Sequence, residues 1–337
     1  MRNVRCLILL VIMAGAQTAK GQFIPGHVYV SDFGPKPCYV GNPALPNDRI
    51  WDFDPATGQV SLFAEVSDAL CGGMTGLAFT PAGAALRASM EFHSLILEFD
   101  GNANPVIALD GNDGIAGPGG TNNIAYDDFG NFFVVNADSG TILRFAPDDG
   151  PADVLADLDD FVISPGAIAT FPNGDLLYAN GLSAQILFRI TPSGMVTVFD
   201  TLPQPGLIWS VEISTSGEVF ALDGAFGGRL FRYPGGNAGA RELFVQGFID
   251  GSSASSIALS GDQSLMYVAN EGNLQSVDLS SGTILTVGTV PGPWFSAGAG
   301  IAVYVPEPAM LGSLAIAALV VTRRRPRGIA TDSAPYH

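Results

Sequence analysis

Two stretches decide the fold: Ile124-Ala125-Tyr126-Asp127-Asp128-Phe129-Gly130-Asn131-Phe132-Phe133-Val134-Val135-Asn136 and Ile168-Ala169-Thr170-Phe171-Pro172-Asn173-Gly174-Asp175-Leu176-Leu177-Tyr178-Ala179-Asn180. Each is a short apolar run, a turn containing Gly, and a second apolar run closing on Asn. Each is followed by a strand-like segment holding Arg, Ile142-Leu143-Arg144-Phe145 in one and Leu187-Phe188-Arg189-Ile190 in the other. A further Gly turn and a fourth segment complete the unit, as in Gly194-Met195-Val196-Thr197-Val198-Phe199. Val, Ile and Phe enrichment, with Gly or Pro every ten residues or so, reads as strand rather than helix.

Weaker copies begin at Leu77, Val211 and Ile257, and a last fragment is Ile301-Ala302-Val303. A period in the mid-forties made of four short strands is the signature of propeller blades. The final fragment supplies only a first strand. The opening segment Val28-Tyr29-Val30-Ser31-Asp32 reads as a second strand with no first before it, and Ile50 to Phe53 and Gln59 to Phe63 read as the third and fourth. Together the two ends make one blade, which closes the ring and removes open strand edges. The expected fold is therefore all-β, a six-bladed β-propeller closed by N- and C-terminal strands sharing one blade. A short C-terminal transmembrane helix follows it.

The ends of the chain have their own grammar. Arg2 and Arg5 precede the apolar run Leu7 to Ala14, and Ala14-Gly15-Ala16 offers a small-residue cut site. That is the layout of a secretory signal peptide, with cleavage expected between about residues 16 and 22. At the other end come Val305-Pro306-Glu307-Pro308, an uncharged stretch from Ala309 to Thr322, and then Arg323, Arg324, Arg325 and Arg327. A basic cluster after an apolar segment stays in the cytoplasm, which leaves the bulk of the protein outside. The apolar stretch is shorter than the roughly 20 residues a span usually needs, which suits a transient anchor. The resulting division is 1–22 signal peptide, 23–304 propeller, 305–327 sorting segment with its short transmembrane helix, and 328–337 cytoplasmic tail.

The tail resembles the PEP-CTERM sorting signal: its Val305-Pro306-Glu307-Pro308 motif, apolar stretch and arginine cluster follow in the same order. That resemblance implies processing by an exosortase, a membrane cysteine transpeptidase-like enzyme of bacteria that make exopolysaccharide. It implies export, anchoring through the tail, and then a place at the cell surface or outside. The blade pattern resembles NHL and gluconolactonase-like propeller repeats, in which a Gly turn leads to a strand ending in Asp or Asn. This second likeness speaks to fold more than to activity.

Charge excludes some partners. Residues 23–304 hold 30 Asp and Glu against 8 Lys and Arg, a surface that repels nucleic acid and anionic lipid. It is compatible with weak calcium binding. Two cysteines follow the signal segment, Cys38 and Cys71, and in an oxidising compartment they are a candidate disulfide.

Candidate site residues come from the ring geometry. Residues closing the second strands, Asp32, Ser89, Asn136, Asn180, Asp223 and Asn270, fall on one face, where oxygens converging on a channel could hold a hard cation. Alternatively each caps its own turn. Glu212 departs from the pattern, because its equivalents are Ala78, Ala125, Ala169, Ala258 and Ala302. A buried carboxylate there needs a partner or a metal, whereas a one-residue slip of register would put it on a solvated edge. Asn122 matches the Asn ligand that a gluconolactonase likeness implies, but the closing inner strand Ala299-Gly300-Ile301-Ala302 has no Glu to match the first-blade ligand. His93 is a loop candidate. Two readings follow: a non-catalytic module binding a glycan or protein, and a metal-dependent hydrolase of the gluconolactonase type.

Overall fold

The repeats become six four-stranded antiparallel sheets in the computed structural model of the chain. The structure describes residues 22–32, 48–66, 73–115, 121–136, 139–158, 166–180, 185–203, 206–224, 228–248, 254–270, 272–291 and 300–306. The first blade contains β1 (Val28–Asp32), β2 (Arg49–Asp54) and β3 (Gln59–Glu65). The second is β4 (Met74–Phe79), β5 (Leu86–Met90), β6 (Leu95–Phe99) and β7 (Pro105–Leu109). The third is β8 (Thr121–Tyr126), β9 (Phe132–Asn136), β10 (Thr141–Phe145) and β11 (Asp153–Asp157). The fourth is β12 (Ala167–Thr170), β13 (Leu176–Asn180), β14 (Ile186–Ile190) and β15 (Val196–Thr201). The fifth is β16 (Ile208–Ile213), β17 (Val219–Asp223), β18 (Arg229–Tyr233) and β19 (Glu242–Gln246). The sixth is β20 (Ala254–Leu259), β21 (Leu265–Asn270), β22 (Asn273–Asp278) and β23 (Ile284–Thr289), and β24 (Ile301–Val303) returns to the first blade.

Burial follows position within the blade. The second strands β5, β9, β13 and β17 are buried along their whole length, because both of their faces meet a neighbouring blade. This explains why Phe132-Phe133-Val134-Val135 and Leu176-Leu177-Tyr178-Ala179 run apolar without alternation. One core layer packs Ala167, Ala169 and Leu177 of the fourth blade against Ile208, Val211 and Ala221 of the fifth. The turns between first and second strands need a left-handed backbone. Gly130, Gly174 and Gly217 supply it at φ 84°, 85° and 82°, a conformation glycine adopts without a Cβ clash.

Arginines of the repeat tie the strands of their own blade, and Arg87 also reaches the next blade. Arg189 reaches Asp175 at 2.7 Å and lies over the Phe171 ring, and Arg232 reaches Glu218 at 2.8 Å and lies over Phe244. Arg87 is buried between the second and third blades. It donates to Glu98 at 2.9 Å and to Asp149 at 2.8 Å, and it faces the Phe132 ring.

The ring closes as the two ends of the sequence require. β24 pairs with β1 in the register Val28↔Val303, Tyr29↔Ala302 and Val30↔Ile301. The strand ends at Val303, and Tyr304 prolongs the contact through its N–H, which donates to the His27 carbonyl at 3.0 Å. Phe23 packs against Tyr29, Phe79 and Tyr304, so aromatic rings cover the closure. The chain divides into two units after Val305, and residues 307–337 lie outside the described residues, as do 1–21. The expected signal segment and short transmembrane helix therefore fall outside them. Among the described residues, no helix is long and apolar enough to cross a membrane.

Candidate functional site

The six inner strands β24, β4, β8, β12, β16 and β20 surround the central axis. Toward their C-terminal ends lies a pocket of about 460 Å³. Its wall carries one ring of register-equivalent residues: Ala78, Ala125, Ala169, Glu212, Ala258 and Ala302. Each pairs with a central position of its second strand: Arg87, Phe133, Leu177, Phe220, Tyr267 and Tyr29 in turn. Register is therefore kept across the fifth blade, and Glu212 does take the place of an alanine. The slip onto a solvated edge does not occur.

Alternation along the strand sets the direction of Glu212. Ser210, two residues earlier on the same face, lies 3.5 Å from Ser256 of the next inner strand and accepts the Ile257 N–H at 3.2 Å. Glu212 therefore faces the crevice between the fifth and sixth blades, with part of its surface open to the pocket. Burial pushes its carboxyl up to about 8, because the charged form loses water and gains no compensating partner. Among the described residues its side chain has no hydrogen-bond or ion-pair partner. The rest of the wall mixes aliphatic side chains with polar atoms, among them those of Thr170, Thr215, Ser260 and Gln263, and Val305 also lines it. Gln263 Oε1 accepts from the Thr215 N–H and hydroxyl at 3.2 and 3.0 Å, which leaves its amide N–H groups free to donate.

The opposite mouth is built differently. Hydroxyls there lace neighbouring blades together. Thr121 donates to the Met90 carbonyl at 2.9 Å, Ser31 donates to the Met74 carbonyl at 3.0 Å, and the Gly300 N–H donates to Ser31 at 2.7 Å. Ser89 lies 3.2 Å from the Thr75 hydroxyl. The predicted oxygen ring is present, since Asp32, Asn136, Asn180, Asp223 and Asn270 close their strands; in the second blade Met90, one residue past Ser89, closes the strand. Asp32 is paired with Arg49 and Asp223 with Arg229. Asp223 also accepts the Leu207 N–H at 2.8 Å, and Asn270 donates to Gln275 at 3.3 Å. These side chains tie the turns of their own blades.

The proposed ligand set is thereby divided. Asn136, Asn180 and Asp223 sit at one end of the channel and Glu212 toward the other, three residues along the strand from the level of Asp223, or about 10 Å. The side chain of Asn122 lies outside the described residues, as do Cys38, Cys71, Glu307, Pro308 and Arg323 to Arg325. Among the described residues, no three His, Cys, Asp or Glu side chains converge as a metal site would need.

Two features escaped the sequence. Glu91, in a short 3-10 turn (Glu91–His93), has its carboxyl pushed up by burial to about 7. It sits where the oxygen ring lies, and its turn packs against β8, the strand that carries Asn122. His27 approaches Asp52 at 2.7 Å beside the closing aromatic cluster. Glu91 is a lone acid after a strand, and Asp52 is one of two acids on the outer part of an ordinary strand, Asp54 being the other and 3.9 Å from His27, so nothing in the sequence marked either.

No family model and no curated protein sequence matches the chain. Solved structures do. A chain of a nidogen–laminin complex has a TM-score of 0.63 at 15% identity, covering 83% of this chain and 99% of that one. A streptogramin B lyase has a TM-score of 0.51 at 12% identity, covering 71% and 76%. A gluconolactonase from Xanthomonas campestris has 0.50 at 13% identity, covering 66% and 75%. At such identities the likeness is one of fold: the chain shares the NHL and gluconolactonase-like β-propeller architecture.

Proposed function

We propose that this is an exported bacterial envelope protein, sorted through its tail by an exosortase-type enzyme, whose propeller is a non-catalytic module that binds a glycan or a protein. The observation that carries the binding reading is the central pocket, whose wall offers hydroxyls, an amide and a single carboxylate among aliphatic side chains. Ligand pockets combine apolar side chains with a few polar groups that orient the guest, and here polar and apolar surface are present in comparable shares. The fold neighbour from the nidogen–laminin complex comes from a protein–protein assembly, which supports a protein ligand. The order of signal segment, propeller and tail supports export.

Two experiments test the reading. The full chain is produced in a host with and without an exosortase, and mass spectrometry reads its C-terminus. Loss of the segment beyond Val305 only when the enzyme is present is the expected result; an identical C-terminus in both hosts overturns the sorting. The purified protein is then screened on a glycan array and against purified envelope proteins, with saturable binding expected.

One observation favours a second reading. Glu91, with its raised carboxyl, shares a turn with His93 and packs near the strand of Asn122. A metal-dependent hydrolase would place its chemistry there. Calcium-dependent lactone turnover lost in Glu91→Gln would replace the binding reading.

A further inference from the structure

We infer that the central pocket is a recognition site for a small organic cation, an alkylammonium or alkylguanidinium group on a short aliphatic body, with Glu212 as its counter-charge. The inference rests on the reading of the propeller as a binding module and names the chemistry that its pocket selects.

The argument starts from what the fold does not need. Five blades place alanine at this register, so the propeller closes without a carboxylate there. The fifth blade gains no polar contact from Glu212 either, since among the described residues no side chain donates to it. A carboxylate held in an apolar crevice is costly unless a partner satisfies it. The described surroundings offer no second acid, so a divalent cation, which takes several oxygen ligands, has too few. A monocation needs one carboxylate and a few neutral acceptors. Thr170 and Thr215 supply them: each hydroxyl proton is already donated, to the Tyr126 carbonyl and to Gln263 Oε1, which leaves their lone pairs free. The alanine, isoleucine and leucine wall suits an aliphatic body. The pocket volume of about 460 Å³ lies within the range typical of small-molecule sites. The protein's net charge of −17 draws cations toward it.

Protonation adds a signature. Glu212 must ionise before it pairs, so occupancy by a permanently charged guest tracks its ionised fraction. Other titratable groups on strands packed against β16 are Tyr178 on β13, which burial holds protonated, and Asp223, ion-paired with Arg229 at the other end of the channel. Tyr126 in the pocket wall is likewise held protonated by burial. Burial keeps both tyrosines protonated through pH 9, so Glu212 rather than either of them changes charge between pH 7 and pH 9.

The test is calorimetric titration of the full chain with n-butylguanidinium, with the neutral isostere n-butylurea as control. The guanidinium is expected to bind saturably, at least about tenfold more tightly than the urea. Its affinity is expected to rise about tenfold from pH 7 to pH 9, as the competent fraction of Glu212 rises. Glu212→Gln is expected to abolish both differences while keeping the thermal melt of the parent at pH 5, where Glu212 is protonated in the fold. Equal binding of guanidinium and urea, an unchanged affinity in Glu212→Gln, or no saturable binding at millimolar concentration overturns the inference. The urea comparison stands on the parent protein alone, so it decides the matter even if the variant fails to fold. n-Butylammonium against a lysine-containing and an arginine-containing peptide separates a free amine from a basic side chain as the source of the cation. A chain that captures a glycan or protein and ignores the guanidinium overturns this inference alone. A chain that binds the guanidinium and captures neither overturns the glycan and protein ligands instead.

Discussion

Glu212 and Ala169 stand at the same register on adjacent inner strands, each facing the blade that follows. Ala169 is 7% exposed and packs against Val211 and Ala221. The space that holds a methyl group in the fourth blade holds a carboxyl in the fifth. The carboxyl extends toward the pocket, and that placement governs how the protein responds to pH.

Glu212→Ala is expected to flatten the pH dependence of stability. The folded protein holds the Glu212 proton more tightly than the unfolded chain does, since its carboxyl is pushed up to about 8. The protonated acid therefore favours the fold fully below the ordinary carboxylate range, and that contribution is lost as pH rises toward 8. Urea unfolding at pH 5 and pH 8 should show the parent weakening relative to the variant by on the order of 3 kcal/mol. A parent and variant that change in parallel would contradict the burial of this group.

Gly300→Ala is expected to damage ring closure, whereas Gly111→Ala should be neutral. A Cβ on Gly300 would stand 2.6 Å from the Leu77 nitrogen and 2.7 Å from the Gly76 carbonyl carbon, both backbone atoms that cannot swing aside. A Cβ on Gly111 meets nothing within 4 Å. Overpacking of this kind costs about 1–3 kcal/mol, read as a drop in melting temperature for the first variant only.

Arg87→Met is expected to destabilise less than Arg87→Ala. Both remove the partner of Glu98 and Asp149, which are only partly buried and can turn to water. Alanine also removes the stem that fills the space beside Phe132, and long side chains stabilise through such packing as well as through charge. Loss of a buried charge partner costs about 3–5 kcal/mol when the remaining charges stay buried. The expected loss is below that for Met and near it for Ala, measured by denaturant midpoints.

The blade count, the strand order and the shared closing blade were legible because they rest on period and on what the two ends lack. The alanine column was legible for the same reason, and it exposed Glu212 as a departure. The separation of Glu212 from Asp223 was harder to see. Both were known to lie near the axis, but depth along the channel depends on register within each strand, which a list of repeat positions does not display. The arginine partners of Asp32 and Asp223 were hidden as well. Arg49 and Arg229 open the third strands, and only the antiparallel pairing brings them opposite the residues that close the second strands. Glu91 has no repeat equivalent to contrast with, so its burial is a property of the fold alone.

Gln263→Gly is expected to be more stable than Gln263→Ala by about 1 kcal/mol. Gln263 has φ 58° in the turn where four other blades place glycine, at Gly83, Gly130, Gly174 and Gly217. Alanine keeps that left-handed strain and loses the bonds to Thr215. Glycine loses the same bonds and relieves the strain. The two variants thus share one loss, and their difference isolates the backbone term, readable in paired thermal melts.

Removing residues 307–337 is expected to leave the melting temperature unchanged, whereas ending the chain at Gly300 should prevent cooperative folding. The first truncation keeps β24, the Tyr304 N–H on His27 and the aromatic cover of Phe23, Tyr29 and Phe79. The second takes Ile301, Ala302 and Tyr304 out of two core clusters. It also bares the inner edge of β1, whose Tyr29 and Val30 are almost wholly buried. Each large apolar side chain lost from a core costs about 2–5 kcal/mol, and an opened strand edge is a template for pairing between chains. Those losses together rival the about 5–15 kcal/mol that holds a typical domain folded. Circular dichroism melts and size-exclusion profiles of the two truncations should therefore differ completely, one matching the parent and the other showing aggregation. The comparison locates the C-terminal boundary of the propeller between Gly300 and Pro306, the residues that complete the closing blade.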